Sequence, residues 1–308
     1  MLGRSPTIPS MRPSVNPVRL PISHRVARRL ATSGLRGASW YWRLARSIEA
    51  VPTPGVVLVE DGIPIIHEPS DWTCRGSYEG TYEREVLRLL PDLLHNGDVC
   101  IDVGANIGIF SARASRLVGS TGSVVAVEPS PRCQVDLALV LGDMENVTVV
   151  NAALGPSTDT IELSGWDNPD HRGLGTAVVG HRAGLQENWF EGQTIEVPQL
   201  RLADLIAEYV GDREIGLLKV DVEGYEPEVL AGAPEIFFER RVRAAILEVT
   251  PEVDSSWAAE LISQIEGYEA FAIDEVGTLL RRTNLREVDA DEVTQSTNQW
   301  NLLLRRQN

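Results

Sequence analysis

From residue 98 onward, short apolar runs alternate with stretches of helical spacing. "DVCIDVG" predicts a strand, "GIFSARASRLVG" a helix and "GSVVAVEP" a second strand. "SPRCQVDLALVLGDM" then predicts a helix and "NVTVVNAALG" a strand. After an interruption at about 156–199 come helix "LRLADLIAEYV", strand "IGLLKVDVEG", helix "EPEVLAGAPEIFFE" and strand "VRAAILEVTP". Strands that are almost wholly apolar and alternate with helices predict an α/β fold, its parallel sheet covered on both faces. "YEAFAIDEVGTLLRR" and "NQWNLLLRRQ" predict two closing strands as an antiparallel pair.

Upstream the pattern is looser. Residues 1–23 hold five prolines and no sustained period, which predicts irregular chain. Residues 24–48 have the spacing of a basic helix, with Trp40, Trp42 and Leu44 as its apolar surface. "GVVLVEDGIPIIHE" (55–68) predicts a hairpin, two β-branched runs around an Asp-Gly turn. "TYEREVLRLLPDLL" (81–94) places Val86, Leu89, Leu90 and Leu93 on related helix faces. The division that follows is an extension over 1–75 and a main domain over 76–308, with an insertion at about 156–199.

Composition narrows the classes. No run approaches the roughly 18 apolar residues of a membrane helix. The net charge of −16 conceals an asymmetry: residues 1–48 carry nine arginines and no acid, and the remaining 260 carry 19 basic and 44 acidic side chains. An acidic body is a poor partner for phosphate backbones, so no nucleic acid is expected. A solvated leader, a transit peptide, a membrane contact and a nucleic-acid arm all fit the basic segment. No apolar stretch of a secretory signal follows its arginines. Cys74, Cys100 and Cys133 are scattered without paired spacing, the pattern of reduced thiols, which predicts a cytoplasmic protein.

The first candidate chemistry is "DVGANIG" (102–108), at a predicted strand-to-helix junction. Gly104 permits a sharp turn, Gly108 a close helix approach, and the helix start offers N–H groups to an anion. Glu128 ends the next strand, where a carboxylate can accept ribose hydroxyls. A nicotinamide dinucleotide is disfavoured, because Asn106 stands where its fingerprint needs a glycine beside the diphosphate. A ligand with an amino-acid tail fits better, with Asp102 on its ammonium.

"DVGANIGIFSARAS", "VVAVEPSP", "VVNAALG", "LLKVDVEGYEPEVLAGA" and "AAILEV" resemble, in order and spacing, the FkbM family of S-adenosylmethionine-dependent methyltransferases over about residues 78–250. The resemblance implies a Rossmann-like class I methyltransferase with a mostly parallel seven-stranded sheet, order 3-2-1-4-5-7-6. It implies methyl transfer from S-adenosyl-L-methionine to a hydroxyl of a small-molecule acceptor, a sugar or natural product. Asp102, Gly104, Asn106 and Gly108 would then hold the methionine part, Glu128 the ribose and Asn151 the adenine. Tyr82 and Glu83 match a Tyr-Glu pair that would close over the methionine ammonium.

Lys219 is the only lysine in the chain, two residues from Asp221 and four from Glu223. With Glu248 at the end of the next strand, at least three carboxylates converge on one mouth, and like charges raise one another's pKa values. Three roles fit. Asp221, Glu223 and Glu248 could hold Mg²⁺, Asp221 or Lys219 could take the acceptor's proton, or the group could be a structural ion-pair network. The insertion adds Trp166, His171, His181 and Trp189, a polar–aromatic mixture suited to a sugar, and His171 is a further candidate base. A nucleoside-binding protein without catalysis and an RNA methyltransferase using the basic arm are the rival functions, and a homodimer is a further expectation.

Overall fold

A computed structural model describes residues 17–51, 53, 55–59, 62–168, 170–171, 175, 177, 193–251, 254–276, 282–295 and 299–307. Ahead of the main sheet lie β1 (Val18–Arg19), α1 (Ile22–Thr32), α2 (Ala38–Ile48), β2 (Gly55–Leu58), β3 (Pro64–His67), α3 (Trp72–Glu79) and α4 (Arg84–Leu93). Next come β4 (Val99–Val103), α5 (Ile109–Val118), β5 (Ser123–Val127), α6 (Pro131–Leu141) and β6 (Val147–Val150). β7 (Ala153–Gly155), β8 (Asp159–Leu163), β9 (Ile195–Arg201), α7 (Leu202–Tyr209), β10 (Ile215–Val220), α8 (Glu226–Ala231), β11 (Val242–Val249) and α9 (Ser256–Gln264) follow. β12 (Tyr268–Val276), β13 (Arg282–Glu287), α10 (Ala290–Gln295) and β14 (Trp300–Arg306) complete the described chain.

The main sheet runs β13-β12-β14-β11-β10-β4-β5-β6. Its β11, β10, β4, β5 and β6 are mutually parallel, while β14 lies antiparallel between β11 and β12. Strands β4, β10 and β11 are buried almost throughout, which is why their sequences are continuous apolar runs rather than alternating ones. From β4 the chain winds outward through β5 and β6, and from β10 it winds the other way. A crevice therefore opens at the carboxyl ends of β4 and β10, where such sheets bind ligands.

The sheet has one strand more than the seven expected. The expected closing pair forms as β12 and β14, and the added strand is Arg282–Glu287, antiparallel on the other side of β12, with Thr283 and Leu285 half-buried between exposed neighbours. Three other expectations change. The predicted basic helix is two helices, broken where Gly34 and Gly37 both take positive φ. "NVTVVNAALG" splits between β6 in the main sheet and β7 in a small sheet of order β7-β9-β8, to which the insertion brings β8 and most of β9. The helix at 226 stops at Ala231, ahead of Gly232 and Pro234.

The described residues ahead of α3 pack onto the main sheet's helices. Leu20, Ala27, Trp42, Val57, Ile65 and Tyr78 share one core with Ile107, Ala112, Leu137 and Leu141 around α5 and α6. The 55–68 hairpin forms as β2 and β3. The short α3, absent from the sequence pattern, is capped by Asp71, which accepts from Cys74 N at 2.9 Å. Among the described residues, no helix is long and apolar enough to cross a membrane.

Candidate active site

The turn after β4 is shaped by its neighbour. Gly104 has φ +82°, and a Cβ there would lie 1.8 Å from the carbonyl oxygen of Asp221, so the β4 and β10 loops touch backbone to backbone. Gly104 N and Ala105 N both donate to Val127 O, at 2.9 and 3.0 Å. Asn106 is itself left-handed, at φ +51°, and its side-chain amide donates to the Tyr82 hydroxyl at 3.3 Å. Gly108 serves packing: a Cβ would meet Leu137 of α6 at 2.9 Å.

Glu128 ties two loops together. One carboxylate oxygen accepts from Asn106 N at 2.9 Å and the other from Ser130 N at 2.8 Å. Burial pushes its pKa up to about 7 against the pull of those two N–H groups. The remaining lone pairs stay available to a ligand hydroxyl.

Lys219 lies behind this turn, 2% exposed, with its backbone paired to Asp102 on one side and Ile246 on the other. Its ammonium is 2.8 Å from Asp221 Oδ2, 3.2 Å from Glu83 Oε1 and 5.3 Å from the Phe110 ring centre. Burial pulls the ammonium's pKa down, but Asp221, Glu83 and Asp102 outweigh that and raise it well above its ordinary value. Asp221 shows the reverse balance. Burial pushes it up, while the Lys219 charge and then the Lys219 hydrogen bond hold it below its ordinary value. Glu83 is pushed up to about 8, chiefly by burial against the pull of Lys219. At neutral pH the lysine is thus charged and Asp221 ionised, with Glu83 shifted toward its protonated form.

One cavity gathers these loops. Tyr82, Gly104, Asn106 and Glu128 line it together with Asp221, Val222, Glu223 and Tyr225. Ala152, Ala153 and Leu154, at the break between β6 and β7, form another wall, and Leu163, Gly175 and Ala177 come from the insertion. Glu83, Asp102, Lys219 and Glu248 stand outside that lining. Asp102 is fully buried and accepts from Ser111 Oγ at 2.6 Å. Glu248 accepts from the Gln299 amide, while its other oxygen is buried without a hydrogen-bond partner. Asp221, Glu223 and Glu248 each bring an oxygen within 4.8 Å of the others.

Three further expected site residues lie apart from this lining. Asn151 directly precedes Ala152 but does not itself line the cavity, and Gly108 faces α6. His171 is stacked on Trp72, ring centres 5.0 Å apart, with burial pulling its pKa down. Trp166 packs against the small sheet's apolar cluster, and His181 and Trp189 lie outside the described residues.

Glu226 is a residue the sequence reading passed over. It is 1% exposed and accepts from Val222 N at 2.8 Å and Gly224 N at 3.2 Å, fixing the loop that carries Asp221 and Glu223. An acid inside "DVEGYEPEVL", just where loop N–H groups need an acceptor, was the available signal.

A mostly parallel sheet with a crevice between β4 and β10, a glycine turn on one side and a strand-end acid on the next strand, is the fold of Rossmann-like class I methyltransferases. The chain belongs to the FkbM family among them: residues 102–300 match the Methyltransferase FkbM domain. It is 33% identical over 171 residues to the methyltransferase sdnD of Sordaria araneosa, covering 48% of this chain and 64% of that protein. It is 31% identical over 218 residues to the 31-O-demethyl-FK506 methyltransferase FkbM of Streptomyces tacrolimicus, covering 64% and 82%. A third relative, the hexuronic acid methyltransferase AglP of Haloferax volcanii, is 28% identical over 211 residues, covering 65% and 80%.

Proposed function

We propose that this protein transfers the methyl group of S-adenosylmethionine to a hydroxyl oxygen of a sugar or of a glycosylated or polyketide-like natural product. One observation carries the reading: an ionised carboxylate, Asp221, lines the same cavity as the Gly104–Glu128 turn suited to the cofactor. The relatives support it, since two of them are named as methyltransferases of a demethylated FK506 and of a hexuronic acid.

In this reading Glu128 accepts the ribose hydroxyls and the Gly104–Asn106 turn holds the methionine portion. The acceptor's O–H donates to Asp221. As the methyl carbon leaves sulfur, the new O–C bond forms, the sulfonium becomes a neutral thioether and the hydroxyl proton passes to Asp221. An oxygen that has just gained a methyl is far more acidic than a carboxylic acid, so a carboxylate held below its ordinary pKa still takes the proton. Lys219 remains charged and keeps Asp221 ionised and aimed, acting as counter-ion rather than base. Positioning of sulfur, methyl and oxygen in line supplies much of the acceleration.

The test pairs two readouts. Asp221→Asn is expected to bind S-adenosylhomocysteine within about threefold of wild type while turnover falls by about 10²–10⁴. Wild-type turnover by that variant would sink the assignment of Asp221, and absence of cofactor binding by the wild type would sink the methyl-transfer reading itself.

The Asp221–Glu223–Glu248 cluster supports a second reading. Three oxygens within 4.8 Å and an unpartnered buried oxygen on Glu248 suit a hard cation such as Mg²⁺, which would orient the acceptor oxygen and ease its deprotonation. Saturable Mg²⁺ binding that disappears in Glu248→Gln would establish it. Turnover unchanged by EDTA would remove it.

A further inference from the structure

A second cavity, of about 280 Å³, shares Tyr82 as a wall with the first. Helices α1, α4 and α5 supply its charge. Arg28, Arg29, Arg84, Arg88 and Arg113 all line it, and among the described residues no acidic side chain does. That is a dense positive site in a chain whose net charge is −16.

Arg28, Arg84 and Arg88 are held rather than merely near. Arg28, 2% exposed, donates to the carbonyls of Ser77 and Tyr78. Arg84 donates to Ala31 O at 3.0 Å and forks onto Glu275 at 2.7 and 2.6 Å. Arg88 donates to Thr32 O at 3.2 Å and reaches the same Glu275 at 3.5 Å. Carbonyls orient a guanidinium without neutralising it, while the Glu275 and Glu85 charges act on Arg84 and Arg88. Burial, followed by the neighbouring Arg84 charge, pulls the Arg88 guanidinium below its ordinary value. Crowded, oriented guanidinium forks match the geometry of a tetrahedral oxyanion, which would relieve their mutual repulsion.

We propose that this cavity is an oxyanion site that takes a phosphoryl or sulfo group, and that the group is carried by the methyl acceptor, with Tyr82 as the wall between anion and transfer sites. The anion site stands on the arginines alone; its assignment to the acceptor rests on the methyl-transfer reading.

Calorimetry on the full chain tests both parts. Pyrophosphate is expected to bind the wild type at one saturable site, about tenfold or more weaker in Arg113→Gln and in Arg29→Gln, and unchanged in Arg46→Gln outside the cavity. S-adenosylhomocysteine binding, measured on the same samples, shows that the variants are folded and tests the methyl-transfer reading separately. No saturable pyrophosphate binding, or equal binding by Arg113→Gln, would overturn the site. Abolition by saturating S-adenosylhomocysteine would also overturn it, by giving the arginines to the cofactor's carboxylate. Glucose 1-phosphate binding at least about tenfold tighter than inorganic phosphate supports the acceptor as the source. Equal affinity for the two assigns the site to a free anion and overturns that part.

Discussion

Lys219 and Asp102 are paired residues on β10 and β4, the two strands between which the ligand crevice opens. The only lysine of the chain therefore stands beside one buried acid and bonds two more, Asp221 and Glu83, from a position 2% exposed to solvent. An ammonium is compact enough to lie between two carboxylates, whereas the broader guanidinium fork is not shaped for that place. The geometry gives a reason for lysine at 219 in a chain that otherwise uses arginine.

Removing that charge should be costly. Lys219→Met leaves buried carboxylates uncompensated, and a loss of about 3–5 kcal/mol is expected in urea unfolding at pH 7.5. Lys219→Arg retains the charge but overfills a site closed by Phe110, and should lose about 1–3 kcal/mol. Wild-type stability in Lys219→Met would contradict the counter-ion role.

The buried acids predict how stability follows pH. Burial pushes Glu226 up to about 8 from an ordinary value of 4.5, against the N–H groups of Val222 and Gly224. The folded state therefore holds this proton more tightly than the unfolded chain. Its contribution is complete below about 4.5, declines above it and is lost as pH rises through about 8. Glu226→Gln keeps an acceptor for both N–H groups and removes the titration. Stability profiles from pH 5 to 9 should show a shallower decline in that variant, and a higher stability than wild type at pH 9. Parallel profiles would remove Glu226 as a source of the slope.

Much of this was legible in the sequence. The apolar runs at 99–103, 215–220 and 242–249 mark buried parallel strands because burial on both faces leaves no room for polar alternation. Glu128, Gly104, Asn106 and Asp221 could be brought together because each sits at a strand end, where spacing along the chain fixes position. The arginine cavity could not be seen, since its side chains come from three helices whose packing no local pattern encodes. Nor could the separation of Lys219 from the cavity lining, which depends on which face of β10 each residue occupies.

The contact between the two central loops gives a sharp backbone prediction. Gly104→Ala adds a Cβ that would lie 1.8 Å from Asp221 O, at a φ of +82° that alanine rarely takes. One loop must move, at a cost of at least about 1–3 kcal/mol for the backbone strain alone. The expected result is a lowered melting temperature together with loss of S-adenosylhomocysteine binding. A variant with wild-type melting and binding would show that the loops are not in contact.

Glu128 separates ligand contact from loop support. Its two oxygens accept backbone N–H groups from Asn106 and Ser130, so Glu128→Ala frees both and should cost about 1–3 kcal/mol of stability as well as cofactor affinity. Glu128→Gln keeps one acceptor oxygen but turns an NH₂ toward the other N–H, which loosens one loop and leaves a poorer partner for paired hydroxyls. If the carboxylate accepts the ribose hydroxyls, both variants should bind S-adenosylhomocysteine at least about tenfold more weakly. Both should bind methionine, which lacks the ribose, much as the wild type does. Calorimetry with the two ligands decides it: equal loss for methionine makes Glu128 a loop support only, and selective loss for the nucleoside ligand places the ribose on its carboxylate.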